Sequence, residues 1–150
     1  MLPVTGRVAA EFPTYTVEQM FALAADIERY PQFIPWCRDA RVVARDGDVW
    51  QVDNHFGAGP LDAGFRTRAH ASAPHRLEIT ADQAPFRSFR LEWRFEALPA
   101  GGCRVVAEYD VVLRSPLLHG LARVAMPEAS RKIIHRFQER AATLYGRGGS

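Results

Sequence analysis

The chain has almost no lysine, few cysteines and no long run of apolar residues. Its 150 residues include one lysine, Lys132, and two cysteines, Cys37 and Cys103, which do not form a CxxC pair. Such spacing gives no sign of a disulfide framework or a zinc site and is typical of a reducing compartment. No stretch approaches the roughly 20 apolar residues of a membrane-spanning helix, and the N-terminal segment lacks a signal-peptide pattern. We therefore expect a cytoplasmic protein that meets a membrane only at its surface.

The composition indicates one folded domain covering residues 1–150. Hydrophobic residues make up 47% of the chain and charged residues 24%, which excludes extensive disorder. The formal net charge of +2 is too small to indicate nucleic-acid binding by itself. Almost all basic residues are arginine, a bias that suits phosphate recognition but also arises from coding composition.

The sequence contains no recognisable catalytic or metal-binding motif. The five histidines are scattered, and none belongs to an HExxH pattern. Asp53 and His55 share a strand face that we expect to point to solvent, opposite Val52, Asn54 and Phe56. The segment Gly57-Ala58-Gly59-Pro60 is a loop without the Lys-Ser/Thr pair and the following helix of a phosphate cradle. We therefore predict a protein with no catalytic residue, no metal and no cofactor.

The first third of the chain predicts a strand, a helix and a stiff connection. Val4–Phe12 is the expected strand. Thr16-Val17-Glu18-Gln19 has the pattern of a capping box and starts a helix of about ten residues. The segment 26–36 contains Pro31 and Pro35, so only short helical turns fit there.

The middle of the chain alternates with a period of two and predicts six consecutive strands. Asp46-Gly47 is a strong signal for a two-residue hairpin. Short turns between the strands favour an antiparallel meander with one apolar and one polar face. The expected strands are Arg41–Arg45, Val49–Phe56, Asp62–Ser72, Arg76–Asp82, Ser88–Ala97 and Cys103–Leu113.

A single long helix is predicted at the C-terminus. Ser115-Pro116 is a favourable start, Gly146 is a suitable end, and Pro127 is expected to kink the helix without ending it. The predicted apolar stripe consists of Leu118, Leu121, Ala125, Ala129, Ile133, Phe137, Ala141 and Leu144. We therefore expect an α+β fold, in which a curved seven-stranded antiparallel sheet grips this helix and leaves a hydrophobic cavity between them.

Two motifs resemble a known family. Asp26-Ile27-Glu28-Arg29-Tyr30-Pro31-Gln32-Phe33-Ile34-Pro35-Trp36 resembles the D-x-E-x-Y-P-x-F-(L/I/V)-P-W signature of the coenzyme-Q-binding START-like family. That family is grouped with the bacterial RatA (ribosome association toxin) proteins within the polyketide cyclase/dehydrase and lipid transport superfamily. The block from Pro85 to Phe95 is similar to the family's G-P-F-x-x-L-x-x-x-W-x-F run, with Ala84 in place of the usual glycine. The resemblance implies a helix-grip (START/Bet v 1-like) fold with a tunnel for ubiquinone or a similar polyisoprenoid.

The residues that we expect to bind the ligand come from three places. The Pro31–Pro35 segment is predicted to form an apolar lip beside the cavity, although it fits a plug that closes the sheet equally well. Trp93 and Tyr109 are the strongest candidates on the strands, because each combines a flat ring with a polar atom. The complete set is Phe33, Ile34, Trp36, Phe86, Phe89, Leu91, Trp93, Tyr109, Val111, Leu121, Ala125, Ile133 and Phe137.

A basic row on the last helix offers a second surface. Lys132, Arg136 and Arg140 are spaced four residues apart and are candidates for docking on anionic lipid headgroups or on ribosomal RNA. The alternative is a solvated helix face stabilised by Glu128–Lys132 and Arg136–Glu139 pairs.

Three functions are compatible with these observations. The favoured one is a non-catalytic carrier of an isoprenoid quinone that supports respiration, with contact to a membrane surface. The alternatives are a RatA-like protein that binds the large ribosomal subunit and blocks subunit association, and an enzyme of the cyclase/dehydratase type.

Overall fold

The computed structural model describes residues 2–58 and 61–146 of the chain. One antiparallel sheet has the strand order β1-β7-β6-β5-β4-β3-β2, so β2 to β7 form a meander and β1 pairs with β7. The predicted seven-stranded α+β arrangement is confirmed. Its elements are β1 (Val4–Phe12), α1 (Val17–Ala25), a 3₁₀ segment (Ile27–Gln32), β2 (Cys37–Asp46), β3 (Val49–Ala58), β4 (Leu61–Ser72), β5 (Arg76–Ala81), β6 (Phe86–Ala97), β7 (Cys103–Leu113) and α2 (Pro116–Tyr145).

Local signals in the sequence fix the first helix and the first hairpin. The Thr16 hydroxyl accepts a hydrogen bond from the Gln19 amide at 3.0 Å, and the Gln19 side chain accepts one from the Thr16 amide at 2.9 Å. These two bonds complete the predicted capping box. The hairpin turn is Gly47-Asp48, one residue later than predicted, because Gly47 takes up the positive φ of +59° at the first turn position. Residues 59 and 60 of the predicted glycine-rich loop lie outside the described residues.

The long helix α2 begins and ends where the sequence predicts. Ser115 caps it by accepting a hydrogen bond from the Leu118 amide at 3.3 Å, and the helix continues through Pro127 to Tyr145, with Gly146 as its C-cap. Its predicted apolar stripe is only partly right. Steps of four residues turn by about 40° more than a full helical turn, so a stripe built from them winds around the helix.

The two halves of α2 differ in how well they agree with the predicted stripe. In the C-terminal half Phe137 and Ala141 are buried as predicted, although Leu144 is exposed. In the N-terminal half Leu121 and Ala125 face solvent, and the residues that face the sheet are Leu118, Ala122, Met126 and Ser130. No helix of the described part of the chain is long and apolar enough to cross a bilayer.

The outer face of the sheet carries a ladder of ion pairs. Glu92 is buried, and its carboxylate accepts hydrogen bonds from Arg76 and Arg90 at 2.8 Å and from Arg94 at 2.6 Å. Arg94 also donates to Glu108 at 2.6 Å. Burial opposes ionisation of Glu92, but the arginine partners outweigh it and hold its pKa below the ordinary value. This polar face leaves the inner face to form the core.

Candidate functional site

A cavity of about 160 Å³ lies between the inner face of the sheet and α2. Its wall is almost entirely apolar and receives side chains from β1, the 3₁₀ segment and its C-terminal extension, every strand from β2 to β7, and α2. An open groove of about 300 Å³ on another surface is lined by polar side chains such as Arg66, Arg68 and Gln83. Because the wall of the first cavity suits an apolar ligand, we take it as the candidate site.

Seven of the predicted ligand-binding residues line this cavity. They are Ile34, Trp36, Phe89, Leu91, Trp93, Tyr109 and Ile133. They come from the connection after α1, from the strands β6 and β7 and from α2. The three regions that the sequence singled out therefore meet at one place.

Three others pack close to the cavity without lining it. Phe137 is buried and its ring contacts that of Trp93, with a centroid distance of 4.8 Å. Phe86 lies between Phe65 and Phe89, at 4.9 and 5.0 Å, and Val111 is buried in the same cluster. These residues support the wall from behind. Leu121 and Ala125 do not reach the site at all, because the winding of the predicted stripe places them on the exposed side of α2.

The two aromatic residues of the predicted lip have different positions. Trp36 is partly exposed and lines the cavity. Phe33 instead packs edge-on against Phe137 and Tyr30, at centroid distances of 5.3 and 5.8 Å. The Arg140 guanidinium lies 5.3 Å from the centre of the Phe33 ring and donates to the Gln32 side chain at 3.0 Å. Phe33 thus fastens the segment to α2, as the plug interpretation expects.

The three residues of the basic row also differ in their surroundings. Lys132 and Arg136 are exposed, whereas Arg140 is engaged with the segment around Phe33. The expected Glu128–Lys132 and Arg136–Glu139 pairs are replaced by Glu128–Arg131 at 2.6 Å and His135–Glu139 at 2.9 Å. Two cations of the row therefore remain available to solvent.

The polar side chains in the wall were not among the predicted residues. The Asn54 amide donates to the Val52 carbonyl and the Thr67 hydroxyl, both at 3.1 Å, and to the Phe65 carbonyl at 3.3 Å. On α2, Ser130 donates to the Met126 carbonyl at 2.7 Å. The alternation along β3 could have indicated Asn54, because it places this residue on the same strand face as Val52 and Phe56. The donors of these two side chains are paired with protein groups and do not need a ligand.

Trp93 is different, because its indole N–H has no acceptor among the described residues. The side chain is 2% exposed and lies against Phe95 and Phe137 while lining the cavity. A buried donor without a partner costs about 1–3 kcal/mol. The Tyr109 hydroxyl lies over Gly6, where a Cβ atom would clash with it. Glycine at this position makes room for the Tyr109 ring.

Two ionisable groups in the wall are held in their neutral forms. Burial, reinforced by nearby Asp39, raises the pKa of the Cys37 thiol to about 11. Burial also raises the pKa of the Tyr30 hydroxyl, which donates to the Ala24 carbonyl. Asp53 and His55 point outward as predicted and pair with Arg66 and Asp62. Within residues 2–58 and 61–146, no three metal-ligating side chains come together.

A curved antiparallel sheet that holds a long C-terminal helix over an apolar cavity defines the helix-grip class of proteins. The chain belongs to the family described as polyketide cyclase/dehydrase and lipid transport, whose model matches residues 13–138. The resemblance seen in the sequence is thereby confirmed at the level of the family.

Two curated relatives carry different functional names. The ribosome association toxin RatA of Pseudomonas aeruginosa is 26% identical over 132 residues, which cover 88% of this chain and 92% of that protein. The mitochondrial coenzyme Q-binding protein COQ10 homolog B of Xenopus laevis is 24% identical over 137 residues. That match covers 89% of this chain and 56% of the frog protein.

Solved structures confirm the fold. A START superfamily protein from Mycobacterium smegmatis superposes with a TM-score of 0.79 at 16% identity and covers 96% of this chain and 99% of its own. The Zhui aromatase/cyclase from a Streptomyces species gives a TM-score of 0.80 at 14% identity, with coverages of 97% and 99%. At these identities the two structures show the shared fold and no more.

Proposed function

We propose that the protein is a non-catalytic carrier that binds ubiquinone or a related isoprenoid quinone beneath α2. The observation that carries this proposal is a largely apolar cavity beneath α2 whose wall includes Trp93, a residue with a buried indole N–H that has no acceptor among the described residues. A quinone is complementary to this wall, because it has a flat ring, an apolar tail and a carbonyl oxygen that can accept a hydrogen bond from Trp93. The similarity to a coenzyme Q-binding protein supports the same ligand class.

The size of the cavity limits how much of such a ligand is enclosed. Its volume of about 160 Å³ is smaller than the roughly 300–1,000 Å³ of typical small-molecule sites. The space accepts a ring or a short piece of isoprenoid chain, and a longer tail would extend past the partly exposed Trp36 or require α2 to move outward. We therefore expect short-chain quinones to bind at least as well as long-chain ones in solution.

Binding rather than turnover is the better match to the wall chemistry. The hydrogen-bonding side chains of Asn54 and Ser130 are engaged with protein groups, and burial holds Cys37 and Tyr30 neutral. Activation of a substrate requires an acid, a base or a nucleophile within hydrogen-bond reach and with a suitable pKa. A cyclase activity, suggested by the aromatase/cyclase fold relative, finds less support in these side chains.

A second candidate function is a ribosome-directed role. It is favoured by the similarity to RatA along 88% of this chain and 92% of that protein. The exposed cations Lys132 and Arg136 are then the first surface to consider for contact with RNA. Sedimentation of the protein with isolated ribosomal subunits tests this role, and Lys132→Gln with Arg136→Gln is expected to abolish any such binding.

The carrier proposal is tested in two stages. Organic extraction of the purified protein followed by mass spectrometry is expected to yield an isoprenoid quinone. Titration with a short-chain quinone is then expected to quench tryptophan fluorescence, and Trp93→Phe to weaken binding about tenfold, or 1.4 kcal/mol, as measured by calorimetry. Trp50→Phe is the matched control, because Trp50 lies outside the cavity wall beneath Arg45. Equal affinities of the two variants would contradict the assigned role of Trp93.

A further inference from the structure

Exposed apolar side chains gather at the N-terminal half of α2. Six large apolar residues are exposed in the described part of the chain, and four of them lie in this region: Leu2 at 78%, Leu117 at 73%, Leu121 at 43% and Val124 at 81% exposure. The three helical residues are spaced i, i+4 and i+7 and therefore form one row on the outer side of α2. We call these four residues the α2 patch.

Leu2, the one patch residue outside α2, is held beside the helix by a buried histidine. His119 accepts a hydrogen bond at Nδ1 from the Leu113 amide at 3.3 Å, so its proton is on Nε2. Nε2 donates to the Leu2 carbonyl oxygen at 2.9 Å, and that oxygen also accepts from Arg123 at 3.1 Å. The start of the chain is thus fixed beside α2, and Leu2 extends the row of exposed side chains.

The surroundings of the patch are positively charged. Arg114 donates to the carbonyls of Phe86 and Asp82 at 2.9 and 3.0 Å, and Arg123 donates to that of Leu2. Neither guanidinium forms a direct ion pair with a carboxylate of the described residues. The first acidic residue of α2 is Glu128, beyond the patch and already paired with Arg131.

We propose that the α2 patch is a docking surface for a bilayer that contains anionic lipids. Leucine and valine side chains enter the boundary between headgroups and acyl chains, while flanking arginines attract anionic headgroups. A stable protein interface buries about 800 Å² on each partner and uses some 20–30 residues, far more than these four side chains provide. Insertion into a bilayer needs only the protruding side chains themselves.

The location of the patch gives this surface a role in ligand exchange. It lies on the opposite side of the same half of α2 whose Met126 and Ser130 line the cavity. Docking would place the helix that covers the cavity directly on the membrane, where apolar ligands reside. This role rests on the proposed carrier function, whereas the docking itself does not depend on the ligand.

Flotation with lipid vesicles tests the proposal on the full chain. We expect binding to vesicles of equal parts phosphatidylcholine and phosphatidylglycerol, weaker binding to phosphatidylcholine alone, and a decrease with added salt. Leu117→Ser combined with Val124→Ser is expected to weaken binding about tenfold or more. Val43→Ser is the matched control, because Val43 is 44% exposed on β2, away from the patch. Circular dichroism checks the fold of each variant, and Val124→Ser alone replaces the double variant if that fails to fold.

Several results would overturn the proposal. They are no binding of the wild-type chain to anionic vesicles, equal binding of the patch variant and the Val43→Ser control, or loss of self-association instead of vesicle binding in the patch variant. The last result would make the patch an interface between copies of this chain. Quinone titration without vesicles keeps the two proposals apart: vesicle binding without quinone binding refutes the carrier function and leaves the docking surface intact.

Discussion

The inner face of the sheet carries aromatic and aliphatic side chains against the helices, whereas the outer face carries arginine and glutamate side chains that neutralise one another. The inner face includes Trp93 and Phe95, and the outer face includes Arg90, Glu92 and Arg94 from the same strand, β6. Loss of buried apolar contacts lowers the stability of a fold strongly, whereas exposed ion pairs contribute little to stability. The cavity also lies on the inner face. We therefore expect most of the stability to depend on the inner face, which also forms the candidate site.

The largest effect should follow from removing a ring between the sheet and α2. Phe137 is 2% exposed and contacts Trp93, Phe33 and Tyr30. Phe137→Ala is expected to lower the free energy of unfolding by about 3–5 kcal/mol, measured by urea denaturation. Leu144→Ala, at a residue 47% exposed on the same helix, serves as the control with a loss below about 1 kcal/mol. Similar losses for both variants would show that α2 is not fastened through Phe137.

On the inner face, residues that hold α2 against the rest of the fold can be distinguished from residues that contact the proposed ligand. Phe33→Ala removes contacts with Phe137, Tyr30 and Arg140, so we expect a loss of about 1–2 kcal/mol of stability and little change in affinity. Trp36→Ala is expected to weaken quinone binding about tenfold, or 1.4 kcal/mol. Calorimetry with a short-chain quinone and urea denaturation measure the two effects. The reverse pattern would restore the predicted role of Phe33 at the cavity mouth.

A smaller effect is expected on the outer face. Glu92→Gln removes the charge at the centre of three arginines, which are themselves a third or more exposed at their side chains and so remain hydrated. We expect a loss of about 1 kcal/mol in urea denaturation, and no change in ligand affinity. Glu96→Gln, at an exposed position of the same strand, is the control. A loss as large as that of Phe137→Ala would reverse the ranking of the two faces.

The smallest and most specific effect concerns acid. Because the pKa of Glu92 in the folded protein lies below its ordinary value of 4.5, its ion pairs stabilise the fold above about pH 4.5. That contribution disappears as the pH falls through the folded-state pKa and the carboxylate takes up a proton. The free energy of unfolding of the wild type should therefore drop more steeply below pH 4.5 than that of Glu92→Gln. Parallel curves would mean that Glu92 has no special part in acid sensitivity.

Most of the fold follows from patterns that span only a few residues. The Thr16 capping box, the Ser115 cap and the alternation along β6 and β7 each depend on neighbouring residues, and all were predicted. The winding of α2 was not, because steps of four residues look like a stripe in the sequence but rotate around the helix axis. Met126 and Ser130 therefore replaced Leu121 and Ala125 in contact with the sheet.

The candidate site was predicted as a place more than as a list of residues. Apolar side chains in a wall and in a core obey the same alternation, so the sequence could not separate Trp36 from Phe33 or Leu91 from Val111. That separation depends on which rings meet across the layers. Whether the Trp93 indole N–H has an acceptor likewise depends on how the surrounding strands and α2 pack against it.

The thiol of Cys37 has a consequence for the chemistry of the wall it helps to form. Quinone rings are electrophiles that add thiolates, and a thiolate beside such a ring would form a covalent adduct. With a pKa raised to about 11, only about one in 10⁴ of these groups is ionised near neutral pH. The neutral Cys37 thiol therefore disfavours adduct formation with the proposed quinone ligand, which is what reversible carriage requires.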